Sequence, residues 1–226
     1  MAGDLIRIGE LVAHSIRLGV PDAYFRASDD KLTNPWKRPF FERIEGDLQR
    51  LDDHAWAEIK NEALHRLAAH RDGRGWQGLF DILNQARGYA YLADLGCTAI
   101  ECIPRGKRST PDLQAVLGNQ RLLCEVKTIN ISDAEVDRRR SGGVGTTLAQ
   151  VTPQLLTKIH RTAHAAAAQM ARFDAAARPL VYIVVNFDDL FHEYAPEYEA
   201  QIKAELAAHP PAVEVALDVK PRLRTH

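Results

Sequence analysis

Leu180 to Phe187, LVYIVVNF, is a continuous β-branched, apolar run broken only by Asn186, with no alternation. A strand written this way is buried on both faces, inside a sheet covered by helices. Just upstream, Thr152 offers an N-cap and Pro153 the fixed φ of a first helical position. Leu155, Ile159, Ala163, Ala166, Met170 and Phe173 then recur at helical spacing, as the inward stripe of a long helix. A strand, a long helix and a further strand in one sheet form a right-handed parallel crossover.

Before that helix the pattern has a period of 2. Cys97 to Ile103, Asp112 to Leu117 and Gln120 to Thr128 read as strands, and Gly118-Asn119 as a two-residue hairpin turn. The hairpin is antiparallel, so the sheet must be mixed. A helix over Leu79 to Leu95 precedes it, with Leu79, Ile82, Leu83, Ala86, Ala90 and Ala93 inward and Gly96 just past its end. The expectation is an α/β fold: a mixed four-stranded core sheet in αβββαβ order, flanked by helices. Residues 1–75 read as a helical extension, with stripes at Leu5 to Ile16 and Leu48 to Leu67 and a loop from Pro21 to Pro39. Residues 76–190 read as the core. Residues 191–226 supply a short helix from about Pro196 to Ala208 and an edge strand from about Val213 to Val219.

Composition removes several classes. A chain of 226 residues that is 46% hydrophobic can bury a real core. Its three cysteines, Cys97, Cys102 and Cys124, are an odd number without a close pair, which argues against a disulfide framework or a zinc knuckle. No apolar run reaches the roughly 20 residues of a membrane span, and the start is acidic and then amphipathic rather than a basic leader with an apolar run. The expected location is cytoplasmic, with no membrane partner. With 29 Lys+Arg against 30 Asp+Glu there is no bulk attraction to nucleic acid, so such a partner must be held by local clusters.

The hairpin carries the chemistry. A turn at Gly118-Asn119 sets Asp112 opposite Glu125, on one face with Lys127, while Leu113, Ala115, Leu117, Leu122, Cys124 and Val126 make the other face wholly apolar. Carboxylates directly opposed across a ladder repel and require a compensating positive charge. A divalent cation supplies it: Asp112, Glu125, the backbone carbonyl of Val126, water and a phosphate oxygen suit the oxygen shell of Mg²⁺ or Mn²⁺. Lys127 is placed to orient an attacking water and to offset charge in a phosphoryl transition state.

Thr110-Pro111-Asp112, the hairpin, and Cys124-Glu125-Val126-Lys127-Thr128, between a helix and strand before and a helix and strand after, resemble the PD-(D/E)XK, or restriction-endonuclease-like, nucleases. The resemblance spans about Phe80 to Phe187. It implies metal-dependent hydrolysis of DNA phosphodiester bonds, with Asp112 and Glu125 as metal ligands, Lys127 as the catalytic lysine, and an active form that could be a homodimer. One position departs from the family pattern: where members often carry a helical glutamate, this chain has Gln85, whose neutral amide oxygen could assist but binds a cation less strongly.

Competing matches to the short motif lack the context. Asp22 with Asp29-Asp30-Lys31 leaves no room for paired strands, Glu58-Ile59-Lys60 lies in a helix, and Asp218-Val219-Lys220 has no Pro-Asp before it. Arg105, Lys107 and Arg108, and Arg138, Arg139 and Arg140 beside a glycine-rich stretch, are candidate phosphate contacts, as is Lys158 on a helical face with Gln150 and Gln154. The loop at Arg105, Lys107 and Arg108 is equally readable as solvated charge; Asp133, Glu135 and Asp137 beside Arg138 to Arg140 favour a plain linker there, and Lys158 also reads as the wet side of its helix. Trp36-Lys37-Arg38 with Phe40-Phe41 reads better as loop packing than as a base-stacking platform. His160 and His164 have helical metal-ligand spacing but no adjacent Glu or Cys partner. A reading from a different class stays open: a nuclease-like fold without catalysis, kept as a nucleic-acid-binding or protein-interaction module.

Overall fold

The computed structural model describes residues 4–17, 38–68, 77–104, 109–129, 150–187 and 195–221, with residues 19, 32 and 35 besides. The elements are α1 (Ile6–Arg17), α2 (Arg38–Gln49), α3 (Asp53–Ala68), α4 (Gln77–Asp94), β1 (Thr98–Cys102), β2 (Leu113–Leu117), β3 (Gln120–Ile129), α5 (Pro153–Phe173), β4 (Arg178–Phe187), α6 (Ala195–Ala208) and β5 (Glu214–Pro221). The fold is α/β, with a five-stranded mixed sheet in the order β1-β2-β3-β4-β5. β2 and β3 are antiparallel, whereas β3, β4 and β5 are parallel. The expected αβββαβ order is present, and the C-terminal strand adds to the sheet beside β4 as an edge. Packing divides the chain into two compact units, one up to Cys102 and one from Ile103. Among the described residues no helix is long and apolar enough to cross a membrane.

In the first unit the stripe from Leu48 to Leu67 belongs to two helices rather than one. The Asp52 carboxylate accepts the Ala55 N–H at 2.7 Å and caps α3, while the Leu51 N–H turns back to the Leu48 carbonyl at 3.1 Å. The expected loop also ends earlier than Pro39. Helix α2 starts at Arg38 and keeps Pro39 in its first turn, where the missing N–H has no helical partner to lose. Phe41 is buried and the half-buried Phe40 packs edge-on against Phe80, so both rings pack within the first unit; Trp36 and Lys37 lie outside the described residues. α1 and α2 cap each other. Glu45 of α2, 3% exposed, accepts the Arg7 and Ile8 N–H groups of the first turn of α1, each at 2.9 Å. In return the Arg7 guanidinium donates to the carbonyls of Leu48 and Leu51 at the far end of α2.

Helix α4 buries Leu79, Ile82, Leu83, Ala86 and Ala90 as its stripe implies, with Leu92 taking the inward place expected of Ala93. It ends at Gly96, whose φ of 80° lets Gly96 N–H reach Ala93 O and Cys97 N–H reach Leu92 O, each at 3.0 Å.

In the second unit Leu180 to Val185 are all buried, because β4 has parallel neighbours on both edges and covered faces. One face packs Leu123, Ile129, Val181 and Ile183 against Ile159, Ala163 and Met170 of α5. Thr152 caps α5 by accepting from Leu155 N–H, and Pro153 opens it. Phe173 departs from the expected inward stripe: the helix stops there, and the ring is 39% exposed beneath the Arg121 guanidinium, 5.9 Å from its centroid.

The hairpin turn has Gly118 at φ 62°, while Asn119 is not among the positive-φ residues, which is the II′ arrangement. A Cβ on Gly118 would meet nothing within 4 Å, so only the backbone resists it. Gly118→Ala is therefore expected to cost about 1 kcal/mol in urea unfolding. An unchanged midpoint would mean that the turn relaxes to another type and the register is not held there.

Candidate active site

The ladder between β2 and β3 runs from Leu117↔Gln120 to Leu113↔Cys124, the register the turn implies. Pairs that exchange two backbone hydrogen bonds alternate along such a ladder. Starting from the turn they are Leu117 with Gln120, Ala115 with Leu122 and Leu113 with Cys124, so the next would be Pro111 with Val126. Proline has no N–H to give. The strand stops at Leu113, the Val126 carbonyl lacks a ladder donor from Pro111, and the Val126 N–H is taken instead by Asp112 Oδ2 at 2.9 Å. Pro111 thus leaves the Val126 N–H to the Asp112 side chain, next in sequence to Glu125.

Glu125 is only 3% exposed. The alternation identifies the opposite face of the hairpin as core, and Leu113, Ala115, Leu122, Cys124 and Val126 are indeed buried there, with Leu117 half-exposed near the turn. The acid-bearing face is covered as well, because α5 lies over it. A buried carboxylate requires partners, and Glu125 has one on each oxygen. The Lys127 ammonium, on the same face two residues along, pairs with Oε1. Gln169 of α5 donates to Oε2 at 3.0 Å, and its Nε2 also donates to the Thr110 carbonyl at 2.8 Å. The side chain of Glu125 is 4% exposed and that of Lys127 35%, so the site opens to solvent on the lysine side.

Sequence reasoning missed Gln169. The signal was present: it is the one polar residue after four consecutive alanines, on the flank of the buried stripe Ile159, Ala163, Ala166 and Met170. Small alanines let a helix approach a sheet closely enough for an amide to reach a strand side chain.

Asp112, Glu125, Val126 and Lys127 are brought together in the second unit. Gln85 is half-buried on α4 of the first. Arg105, Lys107, Arg108, Arg138, Arg139 and Arg140 lie outside the described residues. Lys158 is half-exposed on α5, about three turns before Gln169. His160 stands 3.6 Å from Glu205 and His164 is exposed, a pairing of surface type.

No family model, curated protein or solved structure matches this chain. Among the described residues no group of three or more His, Cys, Asp or Glu gathers as a metal cage. Mg²⁺ does not need one, since it is commonly held by one or two carboxylates with substrate and water oxygens. The candidate donors are all oxygen: Asp112, Glu125 and the Val126 carbonyl, which has no ladder N–H from Pro111. An ionised carboxylate has about four acceptor positions. Each Glu125 oxygen therefore retains one beyond the bond it makes, and the set fits a hard divalent cation.

Proposed function

We propose that the protein is a metal-dependent phosphodiesterase that hydrolyses DNA, built as the PD-(D/E)XK nucleases are. The observation that carries the reading is Asp112, one residue before the last ladder pair and bonded to the Val126 N–H, beside the buried Glu125 with Lys127 on its carboxylate. A buried glutamate held by a half-exposed lysine next to a second carboxylate is an expensive way to build a surface. It is economical as a site for a reaction in which charge develops on phosphate oxygens. Asp112, Glu125 and the Val126 carbonyl would hold Mg²⁺ or Mn²⁺, which when bound polarises the phosphoryl oxygen and offsets charge on the leaving oxygen. Lys127 Nζ, at the open side, holds the attacking water and faces the negative charge that builds on the phosphoryl group. Water adds to phosphorus, one P–O ester bond breaks, and the leaving oxygen takes up a proton.

The test is cleavage of single-stranded, duplex and branched DNA with EDTA, Mg²⁺ or Mn²⁺, combined with Mn²⁺ calorimetry. Divalent-dependent cleavage that falls at least 100-fold in Asp112→Asn, a loss on the scale of removing one electrostatic stabiliser, is the expected result. A wild-type protein that neither cuts nor binds millimolar Mn²⁺ would leave the non-catalytic module as the reading.

A further inference from the structure

We infer that Gln169 is the positioning residue of this site: its amide fixes Glu125 relative to the segment that carries Asp112, and so sets the gap into which the cation fits. The inference rests on the reading above and adds a residue that the motif does not contain.

A primary amide has two N–H donors. The two bonds of Gln169 Nε2, to Glu125 Oε2 at 3.0 Å and to the Thr110 carbonyl at 2.8 Å, use both. Thr110 is two residues before Asp112, whose own carboxylate is tied to the Val126 N–H. The amide therefore clamps together the two pieces of chain bearing the acids at the point where Pro111 has ended the ladder and backbone pairing no longer does so. Without it Glu125 would be located by Lys127 alone, a flexible side chain whose ammonium has no fixed donor direction. Gln169 stands next to the buried Ala166 and Met170, on the side of α5 that packs Ala163 and Ala166 into the sheet core, and Arg121 pairs with Asp174 at the end of that helix at 2.9 Å.

Partners that orient a metal ligand typically change metal affinity by 10- to 100-fold when removed. A residue that served only packing would instead lower thermal stability and leave affinity alone. The experiment is Mn²⁺ titration calorimetry on the full chain, with thermal unfolding in EDTA, for wild type, Gln169→Leu, Gln169→Asn and Gln169→Glu. The leucine variant keeps bulk and removes both donors, so it should bind Mn²⁺ 10- to 100-fold more weakly. The asparagine, too short to span both acceptors, should fall between leucine and wild type. Gln169→Glu sets a carboxylate against Glu125 and should be less stable than wild type in EDTA but regain stability with Mn²⁺. If wild type binds Mn²⁺ and the folded leucine variant binds it equally well, the inference is overturned while the phosphodiesterase reading stands. If wild type itself shows no Mn²⁺ binding, the reading fails and the inference with it. Should the leucine variant not fold, the asparagine and glutamate variants decide, and affinities equal to wild type in both refute the clamp.

Discussion

Lys127→Met should separate two properties that fall together when an ordinary active-site residue is lost. If the phosphodiesterase reading holds, DNA cleavage is expected to drop by about 10² to 10³, the usual loss for one group that stabilises transition-state charge. Mn²⁺ affinity should rise. The Lys127 ammonium pairs with Glu125 Oε1 and supplies a positive charge beside the acids. On the phosphodiesterase reading a divalent cation would share Glu125 with the ammonium, and removing the ammonium would remove a competitor. The same exchange has a stability signature. Without Lys127, a carboxylate that is 4% exposed retains the Gln169 N–H but no counter-charge. Because Lys127 is itself 35% exposed, the expected loss in EDTA is about 1–3 kcal/mol rather than the larger cost of breaking a fully buried pair. Mn²⁺ at about 100 times its dissociation constant adds about 2.7 kcal/mol and should restore most of it. Unfolding in EDTA and in Mn²⁺, beside calorimetry, reads both effects. Weaker Mn²⁺ binding in this variant would mean that Lys127 organises the acids rather than standing in for the cation. An unchanged stability in EDTA would mean that Glu125 does not depend on it.

Gln169→Leu and Lys127→Met are thus expected to move metal affinity in opposite directions although both remove a partner of one carboxylate. The amide is neutral and acts by placing Glu125; the ammonium is charged and occupies it. Variants with the same sign would argue that one of these roles is misassigned.

How far this was legible in the sequence depended on whether the determinant was local. The hairpin register follows from Gly118-Asn119 alone, and the buried central strand from the run at Leu180, because a period of 2 and a turn residue are short-range signals. The burial of Glu125 was not legible. The hairpin alone presents that side chain on a polar-looking face, and only the approach of α5, more than forty residues away, covers it. The break between α2 and α3 could have been read from Asp52-Asp53 after Leu51, a cap signal hidden by stripes that happen to stay in phase across it. Phe173 was placed inward because a helical period carries no mark of the last turn, where the partner surface runs out.

Glu45→Ala should cost the first unit about 3–4 kcal/mol. The carboxylate is 3% exposed and accepts N–H groups from Arg7 and Ile8 at 2.9 Å each and from Gln49 at 3.0 Å. Two of these are first-turn donors of α1, which have no partner within their own helix, and the negative charge sits at the positive end of that helix. Hydrogen bonds to a charged group contribute about 1.5–3 kcal/mol each, and alanine leaves both backbone donors facing a cavity. Glu45→Gln keeps one acceptor oxygen but turns an NH₂ toward donors, so about 1–2 kcal/mol is expected. Arg7 completes the exchange from the other side, bonding the Leu48 and Leu51 carbonyls and lying over the Trp56 ring at 5.3 Å. The two helices therefore satisfy each other's ends, and loss of either side chain should loosen the same contact. Urea unfolding of Glu45→Ala, Arg7→Ala and the double variant measures this. The double variant should be clearly less destabilised than the two single losses added together, and strict additivity would show that the two caps act independently.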